Sequence, residues 1–231
     1  MKQPDPLPAL PLFQVMKAAD RRRLARDMTE TQYRKGEFIF REGDPADYFH
    51  ILKEGSVKCV KSSADGNEIT LKVLMPGDLF CCDAAVFDGG EHPGCAMCLD
   101  DVKVWRLNKK AYFDILRRNP DVAVEVIRYL ANRLNEAQEK AKVLALDKAE
   151  QRLASLLVDL VRRSSVPEGP GYRLTVRLTR EDLANMVGIR TETAIRIMSR
   201  FKRSRLVAGT ANRLIVLDFP HLQRVASLSA S

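Results

Sequence analysis

Arg180-Glu-Asp-Leu-Ala-Asn-Met-Val-Gly-Ile-Arg-Thr-Glu-Thr-Ala-Ile-Arg-Ile-Met-Ser-Arg200 is the stretch that decides the fold of the C-terminal part of the chain. A helix-turn-helix needs a small residue where its helices cross, a glycine at the turn, and apolar residues beneath both helices. Ala184 and Gly188 supply the first two. Leu183, Val187, Ile189, Ala194 and Ile197 supply the buried positions. Thr179, three residues before Asp182, predicts a capping box on the first helix, with Asp in place of the usual Glu. Arg190, Thr191, Glu192, Thr193, Ile195, Arg196 and Arg200 are then left on the open face of the second helix. That face suits a DNA major groove. Arginine bonds guanine bidentately, a carboxylate accepts from the cytosine amino group, and an exposed Ile195 suits a thymine methyl. As surface residues alone, Glu192 and Arg196 would form an i,i+4 pair worth a few tenths of a kcal/mol.

The charge around this motif agrees. The 231-residue chain has a net charge of +8. Between Arg173 and Arg205 lie nine basic residues and three acids (Glu181, Asp182 and Glu192), a local balance of +6. Such concentration is the electrostatic footprint of a phosphate backbone. Arg180 at the start of the motif is a DNA-binding candidate, and Arg213, in the segment Leu206–Asp218 that reads as a two-stranded wing, is available to phosphate. Upstream, KAEQRLASLLVDLVRR reads as a helix, SSVPEGPG as a loop and YRLTVRLT as a strand.

The preceding segment starts a helix at Pro120. Ala123, Ile127, Leu130, Leu134, Ala137, Ala141 and Leu144 recur at spacings of four and three. This is a narrow heptad seam with charged flanks, and it predicts a coiled coil with a second copy of the chain. Residues 12–30 also read as one helix. From 36 to 108 the pattern changes to short alternating runs broken by Gly36, Gly43, Gly55, Gly77 and the turn Asp65-Gly66-Asn67, which predicts a small barrel or roll. Residues 109–118 return to helix.

Several classes are excluded. Hydrophobic content is 45% and charged content 29%, and no apolar run approaches the roughly 20 residues of a membrane span. The N-terminus lacks the apolar core of a secretion signal, so the five cysteines are expected as reduced thiols in the cytoplasm. There is no P-loop, no G-x-S-x-G and no H-E-x-x-H, so an enzyme is not expected.

With these motifs together, the chain resembles the CRP/FNR family of transcription regulators over nearly its whole length. The residues that carry the resemblance are FIFREGDPADYFHILKEGSVK, the PGDLF turn, the heptad helix and GIRTETAIR. The resemblance implies an α+β architecture. Its parts are a cyclic-nucleotide-binding-like β-roll over 1–119, a dimerisation helix over 120–146 and a winged helix-turn-helix DNA-binding domain over 147–231. It implies a homodimer on double-stranded DNA, with RNA polymerase as a further partner. In the family a recognition helix of this type reads a TGA core, which falls to Glu192 and Arg196 here. Thr191 stands where the cyclic-AMP branch has arginine, so the expected site is a TTGA-type inverted repeat.

The same resemblance argues against cyclic AMP. That ligand's phosphodiester needs an arginine, and none stands between Cys81 and Cys98, where Pro93-Gly94 replaces the Arg-Ser pair. Asp83-Ala84 and His92-Pro93 look like the FNR branch, but the N-terminal iron–sulfur cysteines are missing, since no cysteine precedes Cys59. Cys81, Cys82, Cys95 and Cys98 border the expected effector pocket. They leave three readings open: buried small apolar residues, thiolate ligands of a metal or an iron–sulfur cluster, or a dithiol switch. Residues one or three apart on a strand point to opposite faces, which opposes convergence of all four. Haem is a further reading, with His92 or His50 as axial ligand. An effector-independent regulator with a scaffold barrel is the alternative.

Overall fold

In a computed structural model of the chain, residues 11–63, 68–81, 84–210 and 213–227 are described. Packing divides the chain into two units. One comprises Met1–Lys61 with Val73–Glu136, the other Ser62–Lys72 with Ala137–Ser231.

The first unit is the β-roll. The strands of the roll are β1 (Met28–Tyr33), β2 (Phe38–Phe40), β3 (Tyr48–Glu54), β4 (Val57–Ser62), β5 (Glu68–Leu74), β6 (Leu79–Phe80), β7 (Cys95–Cys98) and β8 (Val102–Asn108), with Ser62 and Glu68–Lys72 grouped in the second unit. They form two sheets, ordered β1-β8-β3-β6 and β2-β7-β4-β5. Side-chain alternation feeds two cores. Leu52, Val57, Leu74, Phe80, Cys98 and Val104 fill the interior of the roll. Phe49, Ile51 and Leu107 project from the other face of the first sheet onto Phe13, Met16, Leu24 and Tyr112. The β3–β4 turn depends on Gly55 at φ +85°, where a Cβ would stand 2.5 Å from the Asp101 carbonyl oxygen. Beside it the Asp100 carboxylate accepts from the Ser56 backbone N–H at 2.6 Å and its hydroxyl at 2.8 Å.

The helix expected over 12–30 is replaced by two short helices, α1 (Pro11–Gln14) and α2 (Ala18–Asp27), and by β1 from Met28. The alternating Thr29-Glu-Thr-Gln-Tyr33 finds a partner in β8, in register from Met28↔Leu107 to Tyr33↔Val102. Tertiary pairing overrides the local helical pattern there. The turn expected at Asp65-Gly66-Asn67 lies outside the described residues.

Helix α3 (Lys109–Arg118) starts where the Asn108 side chain accepts from the Lys110 N–H at 2.9 Å. Helix α4 (Pro120–Leu146) begins on proline, whose missing N–H costs nothing at that position. One face of its first half is committed to the roll. Val122 and Val126 are buried, the Tyr129 hydroxyl donates to the Leu79 carbonyl at 2.6 Å, and Arg133 lies 3.4 Å from Asp78. The heptad seam is a different face. Ile127, Leu130 and Leu134 are 65%, 41% and 60% exposed; Ala137 and Ala141 are exposed, and Ala123 and Leu144 half-buried.

The second unit contains α5 (Ala149–Arg163), β9 (Ser165–Glu168), β10 (Gly171–Leu174), α6 (Arg180–Val187), α7 (Thr191–Arg203), β11 (Val207–Thr210), β12 (Arg213–Val216) and α8 (Phe219–Ser227). Its sheet runs β11-β12-β10-β9. The segment SSVPEGPG, expected as a loop, is a strand and a turn, because Ser165–Glu168 pairs with Gly171–Leu174. The strand read over YRLTVRLT ends at Leu174, and the chain then turns to cap α6. Within this unit the Lys140 ammonium donates to the backbone carbonyls of Thr70 at 3.0 Å and Leu71 at 2.8 Å. β5 is thereby tied to the second half of α4.

Candidate nucleic-acid interface

The α6–α7 pair is built as its residue types dictate. Thr179 and Asp182 cap α6 reciprocally. The Asp182 carboxylate accepts from the Thr179 N–H at 2.9 Å and its hydroxyl at 2.7 Å, while the Asp182 N–H donates to Thr179 Oγ1 at 3.0 Å. Gly188 ends the helix at φ +62°, ψ +49°, a left-handed conformation suited to glycine. Ala184 and Ala194 are fully buried, as are Leu183, Val187 and Ile197, with Ile189 half-buried.

Met198 and Phe201 of α7 are buried as well, and its other face is open. Arg190 precedes the helix and is exposed, with Glu192 and Arg196. Thr191 and Thr193 are half-buried. Ile195 keeps 47% of its surface exposed, an apolar group held between charged neighbours. Among the described residues no ion pair joins Glu192 to Arg196. Arg180, in the first turn of α6, is half-buried with Nη1 lacking a hydrogen-bond partner, and burial pushes its pKa down.

Two of the expected DNA-contacting arginines are paired within the protein. Arg200 Nη2 lies 2.8 Å from Glu150 at the start of α5. Arg213 Nη2 lies 2.8 Å from Glu168 Oε1, and the other oxygen of that carboxylate holds Arg173 Nε at 2.6 Å. Together, Arg213 first and Arg173 next, they hold the Glu168 carboxyl below its usual range. Sequence reasoning missed the pairing of both DNA-face arginines, because Arg200 and Arg213 lie 50 and 45 residues from Glu150 and Glu168. An open groove of about 540 Å³ runs beside α7 between Lys148 and Glu150 on one side and Arg196, Arg200 and Arg203 on the other.

Residues 30–119 match the family model of the cyclic nucleotide-binding domain, and residues 151–225 match that of the Crp-like helix-turn-helix domain. The chain is 30% identical over 194 residues to the cyclic AMP receptor protein of Thermus thermophilus, covering 84% of this chain and 86% of that protein. The chain belongs to the CRP/FNR family. It is also 26% identical over 195 residues to the fumarate and nitrate reduction regulatory protein of Vibrio cholerae, 84% of this chain and 77% of that one. The structure of FixK2 from Bradyrhizobium japonicum shares its fold, with a TM-score of 0.77 over 88% of this chain and 99% of that one at 23% identity. This CRP/FNR regulator thus carries a DNA-binding helix-turn-helix, and its relatives are transcriptional regulators. Among the described residues no helix is long and apolar enough to cross a membrane.

The roll of this regulator places the effector candidates as follows. Cys81 is buried at φ +70°, and its Sγ lies 3.1 Å from His50 Nδ1 in a hydrogen bond. His92 is 3% exposed and stacks on Phe40, with ring centroids 3.6 Å apart and planes 10° apart. His50 stacks in turn on Phe80 at 5.1 Å. Cys98 faces the roll interior. Cys95 faces the opposite way and accepts from the Glu42 N–H at 3.4 Å, as strand alternation requires. Cys82 lies outside the described residues. Cys81, Cys95 and Cys98 therefore do not converge, and among the described residues no group of three or more His, Cys, Asp or Glu is arranged to hold a metal ion. This arrangement does not fit an iron–sulfur cluster. The two haem-ligand candidates, His50 and His92, are both buried, His50 packed on Phe80 and His92 on Phe40. Burial pushes His50 down to about 3, with Arg106 and His92 contributing, and pushes the Cys98 thiol up to about 12.

Proposed function

We propose that this regulator binds a TTGA-type inverted repeat as a homodimer, with α7 of each protomer in a major groove. The observation that carries this is the outward presentation of Glu192, Ile195 and Arg196 on one exposed helix face. Arg196 then bonds guanine, Glu192 accepts from cytosine, and Ile195 meets a thymine methyl. Arg190, Thr191 and Thr193 flank this set, while Arg180, Arg200 and Arg213 serve the phosphates.

Dimerisation rests on the α4 seam. Ile127 and Leu134 stand largely in water in one copy and Leu130 partly so, and burying what each still exposes stabilises by about 1–2 kcal/mol. Ala123, Ala137, Ala141 and Leu144 extend the seam. A two-fold dimer presents its recognition helices to half-sites about one helical turn apart. RNA polymerase is the further partner on the promoter, and the cytoplasm is the compartment.

The roll is the signal-responsive part, and its chemistry departs from the cyclic-nucleotide pattern. An aromatic-stacked His92 lies in the stretch where a phosphate-binding arginine would be needed. That the protein's own rings pack around His50, Cys81 and His92 favours a second reading, an effector-independent regulator whose roll is a scaffold.

Binding-site selection from random duplex with the purified full chain tests the proposal. The expected product is a TTGA inverted repeat, with binding that weakens steeply as salt rises. Arg196→Ala should relax the choice at one base pair, at a cost of about 1–3 kcal/mol. Selection returning no TGA core, or an Arg196→Ala protein with unchanged preference, would overturn it.

A further inference from the structure

Resting on that reading of the DNA face, we infer that Glu150 and Glu168 compete with DNA phosphates for the arginines they hold, and so set down the sequence-independent affinity of the protein. The geometry is direct. Glu150 is the acidic residue of a groove otherwise rimmed by Lys148, Arg196, Arg200 and Arg203, and its carboxylate bonds the Arg200 guanidinium at 2.8 Å. Glu168 engages one arginine with each oxygen, Arg213 at 2.8 Å and Arg173 at 2.6 Å. Arg200 and Arg213 themselves stay 53% and 66% exposed, so a phosphate can reach them without any rearrangement of the fold.

A guanidinium cannot lose its charge, and it bonds carboxylate and phosphate with the same fork of donors. Each arginine therefore exchanges one anion for another when DNA arrives. The exchange has consequences for affinity. Sequence-independent binding comes almost wholly from cations that displace counterions from the phosphates. An arginine already held by a carboxylate contributes less to that term than a free one. A strongly basic face without such competitors would hold the regulator on random duplex, which vastly outnumbers its targets in any genome. The glutamates leave Arg190 and Arg196 untouched, because neither is paired with them.

The test uses the full chain with random-sequence duplex and a salt titration, comparing wild type with Glu150→Gln, Glu168→Gln and the control Glu54→Gln. Glu54 pairs with Lys103 in the roll, so its variant makes the same change in net charge away from the DNA face. Glu150→Gln and Glu168→Gln should each tighten binding about threefold, the scale of one exposed ion pair. Each should also steepen the log–log salt slope by about 0.9, one further phosphate contact. The effect of Glu150→Gln should vanish in an Arg200→Gln background. Unchanged slopes, weaker binding, or an equal response from Glu54→Gln would overturn the inference, since weaker binding means the glutamates position the arginines for DNA. A wild-type protein with no salt-dependent duplex binding would instead remove the reading of the DNA face itself.

Discussion

The roll interior and the recognition helix treat their ionisable side chains in opposite ways. In the roll, His50, His92 and Cys98 are 4%, 3% and 2% exposed, and burial drives His50 and Cys98 to their neutral forms. At the start of α7 and along it, Arg190, Glu192 and Arg196 stand in solvent. Removing a charged group from water without a partner is costly, so a buried imidazole or thiol stays uncharged. One region spends its polar residues on internal order, and the other keeps them for a partner.

The largest test concerns whether the outward-facing set acts alone. Ile127→Lys with Leu134→Lys leaves α7 unchanged and places two charges on the exposed α4 seam. The expected outcome is a monomer in sedimentation velocity. Affinity for an inverted repeat should fall at least about 100-fold, because the second half-site contact ceases to be intramolecular. Retained dimerisation would move the interface elsewhere.

The second test is on the buried side of the comparison. The ordinary histidine pKa is about 6.5, and burial holds His50 down to about 3 in the folded protein. As pH falls below about 6.5 the unfolded chain takes up this proton while the native state refuses it. The stability that depends on a neutral His50 is complete above that pH. It is lost as pH falls towards 3, with a limiting slope of about 1.4 kcal/mol per pH unit. Urea unfolding from pH 7.5 to 5 should show this slope in wild type and a shallower one in His50→Phe. Equal slopes would mean that His50 is hydrated.

Lys140 falls between these extremes and sharpens the contrast. It is half-buried, and desolvation pushes its pKa down, but its ammonium is kept by two backbone carbonyls, those of Thr70 and Leu71. Lys140→Met keeps the length of the side chain and removes the donors. It should cost about 1–3 kcal/mol, read by denaturant unfolding, because the Thr70 residue is buried and water is a poor substitute there.

The same contrast explains what the sequence could tell. The helix-turn-helix was legible because its rules are local: Ala184, Gly188 and the outward set all fall within 21 residues at helical spacing. The exposed apolar stripe of α4 was legible for the same reason. The roll was legible as a series of short strands, but not in its interior. His50 and Cys81 are 31 residues apart, and Phe40 and His92 are 52 apart. Only strand pairing brings them together, and no local pattern encodes it. β1 was missed because its partner is β8, at the other end of the roll. The Arg200–Glu150 and Arg213–Glu168 pairs were missed because an ion pair between distant elements leaves no spacing to read. Cys95 and Cys98 show the converse, since period-two alternation alone forecast their opposite faces.

The smallest expected effect probes the most local feature. Thr179→Ala removes the acceptor for the Asp182 N–H and a donor to its carboxylate, but leaves the Thr179 backbone N–H bonded to that carboxylate. A lost N-cap of this kind costs about 1 kcal/mol. Thr179→Ser keeps the oxygen and should recover most of it. If the cap does no more than start α6, both variants should shift the denaturation midpoint and leave base preference unchanged. If Thr179→Ala also alters which bases are selected, then the cap sets the angle at which α7 is presented. The separation between internal order and partner recognition would then fail at the residue where α6 begins.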